Sequence, residues 1–175
     1  MQEPVIETDR LVLRRHGLED AECLRALWSD PEVVRYIGTA STPEESWARL
    51  LRYAGHWSFY GYGYLAIEER ATGRFVGDVG VAQFRRDGLE APEESAEAGW
   101  VLSGDCHGHG YGREAAAALH RWIDGRLGLA RTHCIIDPDN APSIRLARSL
   151  GYEERADLDY RGSRVVLLVR ERPAC

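Results

Sequence analysis

Hydrophobic and polar positions alternate along several short stretches of the chain, and this period of two predicts β-strands. The first stretch, residues 10–16, reads RLVLRRH. Residues 62–70 and 74–84 follow the same pattern on either side of the turn sequence ATG, so we expect an antiparallel hairpin there. Further strands are predicted over 96–102, 131–136, 152–158 and 163–170, the last two joined by a turn at 160–162.

Other stretches repeat their apolar residues at helical spacing and begin with residues that cap helices. Residues 18–28 place their apolar side chains on one helical face, and Asp30-Pro31 is a typical start for a short helix over 31–36. The sequence STPEE at 41–45 predicts the start of a long helix.

Two more helices are predicted in the second half of the chain. The first is alanine-rich and runs from about residue 112 to 127. The second follows the capping sequence DPDN at 137–140 and ends at Gly151. The order of elements is therefore β, helices, three strands, α, β, α, ββ, which predicts one α/β domain over residues 1–175 with a mixed sheet.

Composition narrows the classes of function. The 175 residues are 44% hydrophobic and 29% charged, which is typical of a globular protein, and the net charge of −6 gives no support for a nucleic-acid surface. No apolar run approaches the roughly 18 residues of a membrane helix. The N-terminal sequence MQEPVIETDR has no basic region followed by an apolar one, so we expect a cytoplasmic protein.

Cysteines give only a weak indication of chemistry. The four cysteines, Cys23, Cys106, Cys134 and Cys175, form no C-x-x-C pair, and we expect free thiols. Cys106 stands beside His107 and His109, a C-H-x-H pattern that could contribute to a metal site. Because no second group of ligands completes four-coordination, we expect no metal.

The sequence HGHGYGRE at 107–114 separates a predicted strand from the alanine-rich helix. Helix N-termini present unpaired N–H groups and partial positive charge, and glycines let an anion approach them closely. Two interpretations stay open, a phosphate-binding loop or a simple turn. The sequence lacks the Gly-Lys-Ser/Thr end of a Walker A loop, and its G-x-G-x-G spacing differs from the dinucleotide fingerprint.

Several ordered motifs resemble those of the GNAT superfamily of N-acetyltransferases. HGHGYG resembles the family's pyrophosphate loop, and EAGWVL at 97–102 resembles its splayed fourth strand. The sequence DPDNAPSIR at 137–145 is similar to its next motif, while ETDRLVLR and LWSDPEVVRYIG are typical of a branch similar to the ribosomal-protein alanine N-acetyltransferases. The resemblance covers nearly the whole chain and implies a mostly antiparallel mixed sheet with a splayed central strand pair, flanked by helices.

The resemblance also implies acetyl-CoA as the donor and a primary amine as the acceptor. In the family pattern, the splayed strand pairs with the pantetheine arm, the glycine loop holds the pyrophosphate, and an asparagine bonds the pantetheine or a water. The corresponding positions in this chain are Val101, Leu102, His107, Gly108, His109, Gly110, Tyr111, Gly112, Arg113 and Asn140.

Catalysis of amine acetylation needs a base for the protonated amine and a donor for the departing thiolate. Glu97, at the start of the splayed segment, is the first candidate for the base, acting directly or through water, with Asp157 and Asp159 as rivals and a solvated glutamate as the alternative. Ser143, one helical turn after Asn140, is the candidate proton donor, with a helix-surface serine as the alternative. Trp28 and Tyr36 are assigned to the acceptor pocket, because the early helices form its wall in this family; packing in the core is the alternative for both.

Two positions depart from the family pattern. His107 replaces the usual Gln or Arg of the loop, and Ala147 stands where many members carry a tyrosine that protonates the thiolate. Three functions therefore stay open: acetylation of a protein N-terminus, acetylation of a small amine such as an amino acid, polyamine or antibiotic, and acyl-CoA binding without turnover. A homodimer is compatible with the family, although no feature of the chain demands one.

Overall fold

The computed structural model describes residues 4–90 and 92–173 and contains one eight-stranded sheet with helices on both faces. The strands are β1 Pro4–Glu7, β2 Leu11–Arg15, β3 Tyr64–Glu69, β4 Phe75–Ala82, β5 Ser95–Leu102, β6 Arg131–Ile136, β7 Glu153–Tyr160 and β8 Ser163–Glu171. The helices are α1 Ala21–Ser29, α2 Pro31–Val34, α3 Pro43–Tyr60, α4 Tyr111–Trp122 and α5 Ala141–Ser149. None of these helices combines the length and apolar composition needed to cross a bilayer.

The sheet order is β1-β2-β3-β4-β5-β6-β8-β7, and neighbouring strands are antiparallel except for β5 and β6. Both predicted hairpins, β3–β4 and β7–β8, are confirmed. The strand β1 was not predicted, because four residues are too short to show a period. The α/β class and the mostly antiparallel sheet with a splayed central pair are confirmed.

The long helices begin where their capping sequences predicted. Thr42 and Glu45 form a reciprocal capping box at the start of α3, and Asn140 caps α5 by accepting a hydrogen bond from Ser143 N–H. Helix α2 ends at Val34, two residues earlier than predicted. The alanine-rich helix α4 ends at Trp122, after which the chain makes one π-helical turn over Ile123–Leu127.

The apolar residues form two clusters. In the first, the small residues Ala115 and Ala116 let α4 lie close to the strands. The second holds Leu24 of α1 and Leu50 of α3 against the sheet.

Tyr64 of β3 lies across two neighbouring strands in the second cluster. A Cβ atom at Gly80 of β4 would overlap Tyr64 Cα and lie 2.7 Å from two of its ring carbons. A Cβ atom at Gly99 of β5, the cross-strand partner of Gly80, would overlap the Tyr64 hydroxyl oxygen. Because Gly80 and Gly99 carry no side chains, the Tyr64 ring can lie across β4 and reach β5. We call these two residues the glycine track.

A buried hydrogen-bonded group of His120, Tyr152 and Thr132 joins α4 to the C-terminal half of the sheet. His120 Nδ1 donates to the Ala116 carbonyl at 2.7 Å, so its Nε2 accepts from the Tyr152 hydroxyl at 2.8 Å, and Thr132 donates to that hydroxyl at 2.7 Å. His120 is satisfied as a neutral ring, and burial lowers its pKa to about 4.

We expect His120 to make the protein less stable as the pH falls. The unfolded chain binds a proton near the ordinary histidine pKa, whereas the folded chain binds it only near pH 4, so stability is full above about pH 6.5 and is lost below it. When the pH falls from about 7 to about 5, the unfolding free energy of the wild type should decrease by about 2 kcal/mol more than that of His120→Gln. Urea denaturation at several pH values measures this, and equal pH dependence in both proteins would contradict it.

Candidate active site

Strands β5 and β6 separate to form a fork near the middle of the sheet. Their parallel pairing covers only Ser95–Glu97 against Arg131–His133. Beyond this point β5 continues to Leu102 while pairing only with β4, and β6 continues to Ile136 while pairing with β8. The gap between two diverging strands leaves room for an extended ligand, and this is the splay that the resemblance predicted.

The glycine loop begins five residues beyond the end of β5 and leads directly into α4. Gly108 and Gly110 have φ values of +77° and +78°, a region that glycine adopts without strain, and Gly110 is the residue that precedes α4. The first helical hydrogen bond of α4 runs from the Glu114 N–H to the Gly110 carbonyl. The earlier N–H groups of the helix are therefore open to a ligand anion, as expected for a helix N-terminus.

Arg10, close to the N-terminus in sequence, contacts this loop with its side chain. Its guanidinium donates to the His109 carbonyl at 3.0 Å, lies 4.7 Å from the centre of the Tyr111 ring, and pairs with Glu114 at 2.6 Å. Thr8 donates to the same carboxylate at 2.6 Å. No local pattern in the sequence points to this contact, because 104 residues separate Arg10 from Glu114.

The side chains of the loop point in different directions. His107 Nε2 lies 3.1 Å from the Leu102 carbonyl, so this ring braces the loop against β5. Tyr111 turns into the core and donates to Glu69 at 2.5 Å, so only its backbone faces the helix N-terminus. His109 and Arg113 are exposed beside the loop.

Helix α5 faces the fork with the predicted pair Asn140 and Ser143. Trp100 of β5 reaches toward this helix, and its indole N–H donates to Ser143 Oγ at 3.3 Å. Because that oxygen accepts from Trp100, the Ser143 hydroxyl proton is free to point elsewhere. Ala147, at the position of the family's tyrosine, is completely buried and carries no group that could donate.

Glu97 lies at the fork and is only 6% exposed. Arg86, in the segment after β4, donates to both of its oxygens, at 2.7 Å from Nε to Oε2 and 2.6 Å from the terminal nitrogen to Oε1. This bidentate ion pair does not fit the prediction of Glu97 as a free general base, because protonating the carboxylate would break it. The structure therefore shows Glu97 as one partner of a buried ion pair, and its part in catalysis stays a prediction.

A cavity of about 200 Å³ opens beside Glu97 on the side of the fork away from the glycine loop. It is lined by eleven residues, among them Phe84, Arg86, Ser95 and His133. The prediction from the sequence did not include Arg86, Ser95 or His133. Arg86 lies in a polar loop, and Ser95 and His133 stand in strands where such residues are ordinarily structural, so the sequence contained no signal for them.

The other predicted site residues lie away from this cavity. Trp28 is 7% exposed in the second core cluster, and its indole N–H donates to the buried Asp78 at 3.0 Å. This contact favours the packing alternative for Trp28, and its assignment to the acceptor pocket stays a prediction. Tyr36 is half-buried with the Arg35 guanidinium 5.2 Å from its ring centre, and it is not among the residues that line the cavity.

The rival carboxylates belong to the β7–β8 hairpin. Asp157 pairs with Arg164, and Asp159 accepts a hydrogen bond from Gly162 N–H in the turn. Both are exposed and engaged locally, so the structure gives neither a place at the fork.

Thiols are free at Cys23, Cys106 and Cys134, while Cys175 lies outside the described residues. Within residues 4–90 and 92–173, no three His, Cys, Asp or Glu side chains are grouped as metal ligands.

Sequence comparison finds a protein family and a relative that match most of this chain. Residues 10–153 match the family described as the acetyltransferase (GNAT) domain. An N-acetyltransferase from Bacillus licheniformis, p20, which is itself uncharacterised, is 31% identical over 156 residues, covering 87% of this chain and 85% of that protein.

Two solved structures illustrate the likeness in three dimensions. One is assigned to the GnaT-family acetyltransferases of Bordetella pertussis; it has a TM-score of 0.83 and 30% identity and covers 94% of this chain and 98% of its own. The other is a ribosomal-protein-S5-alanine acetyltransferase from Vibrio fischeri, with a TM-score of 0.77 and 17% identity over 95% of each chain. At that identity the second likeness shows the shared fold.

Proposed function

The chain belongs to the GNAT family of acetyltransferases, and we propose that it transfers the acetyl group of acetyl-CoA to a primary amine at the β5–β6 fork. One observation carries this proposal. Strand β5 separates from its parallel partner β6 after Glu97. The chain then continues from the end of β5 into the glycine loop and the N-terminus of α4. A gap for an extended arm and a site for its anionic end therefore lie along one continuous piece of chain.

The loop fits the pyrophosphate of coenzyme A by its chemistry. The N–H groups from Gly108 to Arg113 would hold the phosphates, since positive φ at two glycines removes side chains from the approach. Arg113 and His109 are exposed beside them and add donors. His107, engaged with the Leu102 carbonyl, serves to fix the loop on β5.

The arms of the fork would hold the pantetheine. Backbone groups of Val101 and Leu102 on β5 lie on one side, and the Asn140 side chain at the start of α5 lies on the other. When bound, acetyl-CoA supplies an acetyl group activated as a thioester. Holding that group and the amine at one place contributes much of the rate enhancement such a site needs.

Ser143 is the proton donor that this arrangement supports. Its oxygen accepts from Trp100, so its own proton is directed away from the indole and is available to a leaving thiolate. The hydrogen bond from Trp100 of β5 to Ser143 of α5, the helix that follows β6, supports a position of this hydroxyl beside the gap.

The acceptor amine enters from the side of the cavity that holds Glu97. Arg86 balances the charge of the Glu97 carboxylate, but each carboxylate oxygen keeps a second lone pair that can accept a hydrogen bond from an amine, and Phe84 adds an apolar wall beside it. A cavity of about 200 Å³ admits roughly one amino-acid residue or a compact amine, but no large molecule as a whole. We propose a protein N-terminal amino group as the acceptor, with a small amine as the second candidate because the same volume accommodates it.

An acceptor screen tests this proposal. We expect acetyl-CoA-dependent release of free thiol with peptides that begin with Ala or Ser, and mass spectrometry should place one acetyl group on the N-terminus. The same peptides with a blocked N-terminus are the control and should give no turnover. Turnover with free amino acids or polyamines alone would replace the peptide acceptor by a small amine. Tight acetyl-CoA binding without transfer to any amine would contradict the catalytic proposal.

A further inference from the structure

Three polar side chains meet at the base of the fork, and two of them, Ser95 and His133, have no role in the function described so far. Ser95 and Glu97 lie two residues apart on β5 and therefore share a face, and His133 of β6 is the parallel partner of Glu97. All three are buried, at 6%, 6% and 3% exposure, and all three line the 200 Å³ cavity. His133 was not expected from the sequence to take part in the reaction.

Hydrogen bonds fix the tautomer of His133. Ser95 Oγ lies 2.6 Å from the Pro92 carbonyl and 2.7 Å from His133 Nδ1. A carbonyl oxygen can only accept, so the single hydroxyl proton of Ser95 is donated to Pro92. Ser95 Oγ must then accept from His133, which puts the ring proton on Nδ1 and leaves the lone pair of Nε2 free.

The free lone pair of Nε2 faces Glu97 across a short gap. Nε2 and Glu97 Oε2 are 3.8 Å apart, too far for a direct hydrogen bond. Both oxygens of Glu97 already accept from Arg86, whereas Nε2 has no donor among the described residues. An N–H group brought to Glu97 from the cavity would therefore lie close to Nε2, an acceptor with no donor among the described residues.

Charges around the ring support a neutral imidazole. Burial is the largest influence and lowers the pKa of His133; Arg86, from the segment after β4, lowers it further, while Glu97 on β5 opposes both. Tyr160, at the end of β7, reaches this group only through Arg86, whose guanidinium lies 3.3 Å from its hydroxyl. A neutral ring at neutral pH can accept a proton, as a general base must.

We propose that His133 Nε2 is the general base that takes a proton from the acceptor amine, with Ser95 as the residue that positions it. This inference rests on the proposed function. The ammonium form of the acceptor loses two protons in all. The first passes to Nε2 and from there to water, before the N–C bond forms. As the C–S bond breaks, Ser143 gives its proton to the sulfur, the thiol leaves, and the second amine proton replaces the one that Ser143 gave up. Glu97, held by Arg86, keeps the ammonium in place during the first transfer.

The pH dependence of kcat/KM in His133→Gln tests this role. We expect the variant to lose about 100-fold in kcat/KM at neutral pH, with the affinity for acetyl-CoA unchanged. The wild-type rate should fall as the pH drops and Nε2 is protonated, and this acid limb should disappear in the variant. Glu97→Gln provides the comparison, since it should weaken acceptor binding yet retain the acid limb. An unchanged rate and an unchanged acid limb in His133→Gln would overturn the proposal.

Two further measurements need no folded His133 variant, and the first of them needs no turnover. The nitrogen chemical shifts of histidine distinguish the two neutral tautomers, and NMR of the ¹⁵N-labelled full chain should show His133 protonated on Nδ1. Ser95→Ala identifies the signal by its change and should cost about tenfold in kcat with no change in the acceptor KM. A proton on Nε2 in the wild type, or full kcat in Ser95→Ala, would overturn the proposal. If the wild-type protein acetylates no amine, the proposed function is refuted, whereas the NMR spectrum still determines the tautomer of His133.

Discussion

Replacing Gly80 by alanine is expected to destabilise the protein by about 3 kcal/mol or more, because the new methyl group has no space. Its Cβ would overlap Tyr64 Cα and lie 2.7 Å from two ring carbons. The nearest atom belongs to the backbone of the neighbouring strand, so no side-chain rotation relieves the contact. Because Tyr64 spans β3, β4 and β5, a displacement there also disturbs the strand that forms one arm of the fork.

Gly55→Ala is the matched control for this prediction. Gly55 lies inside α3, where an added Cβ would meet no atom within 4 Å. Alanine is the better helix former, so this variant should gain about 0.5–1 kcal/mol. Urea denaturation of both variants measures the difference, and an unfolding free energy for Gly80→Ala within about 1 kcal/mol of the wild type would refute the glycine track.

The second large effect is expected at the phosphate loop. Gly110→Val should weaken acetyl-CoA binding by on the order of 100-fold, because a β-branched residue is strongly disfavoured at a φ of +78°. Either the loop moves or the side chain crowds the first N–H groups of α4, and both outcomes remove donors from the pyrophosphate. The affinity for acetyl-pantetheine, which lacks the pyrophosphate, should stay unchanged.

Gly104→Ala tests whether the effect is specific to the loop. This residue lies just ahead of the loop and does not have positive φ, and a Cβ added to it would meet no atom within 4 Å, so the affinity should match the wild type. Calorimetric titration of the three proteins gives the comparison. Equal weakening of acetyl-CoA and acetyl-pantetheine binding by Gly110→Val would mean that the loop acts on the whole cleft and not on the phosphates.

Local signals in the sequence were sufficient for much of the fold. Capping residues such as Thr42 and Asn140 act on N–H groups three residues away, so the start of a helix can be predicted from its own neighbourhood. Hairpins joined by short turns, such as β7–β8, depend on similarly local contacts. The four-residue strand β1 is different, since only its pairing with β2 makes it a strand.

The site could be predicted where it depends on a continuous stretch of chain. The glycine loop and the following helix N-terminus are encoded together, and the fork was expected only because EAGWVL resembles a family motif. His133 and Arg10 could not be predicted, because their partners lie 38 and 104 residues away in the sequence. Arg86 is only 11 residues from Glu97, but it lies in a polar loop whose conformation no local pattern indicates. The hydrogen bond from Trp28 to Asp78 could not be predicted either, since Asp78 lies 50 residues further on.

In the proposed reaction, these contacts would divide the site into two functional halves around β5. The C-terminal end of the strand leads to the donor half, with the loop, Arg10 and the Ser143 hydroxyl on α5. Its N-terminal end forms the acceptor half, with Glu97, Arg86 and His133 around the cavity. The acetyl group would pass from one half to the other at the point where β6 leaves β5.

Titration calorimetry with acetyl-CoA and with acetyl-pantetheine, performed on the wild-type chain, is the most direct test of the central claim. Because the loop is expected to bind the pyrophosphate, acetyl-CoA should bind with micromolar affinity and acetyl-pantetheine at least 100-fold more weakly, a difference of about 2.7 kcal/mol. Equal affinity for the two compounds, or no binding of acetyl-CoA, would contradict the assignment of the glycine loop and, with it, the proposed reaction at the fork.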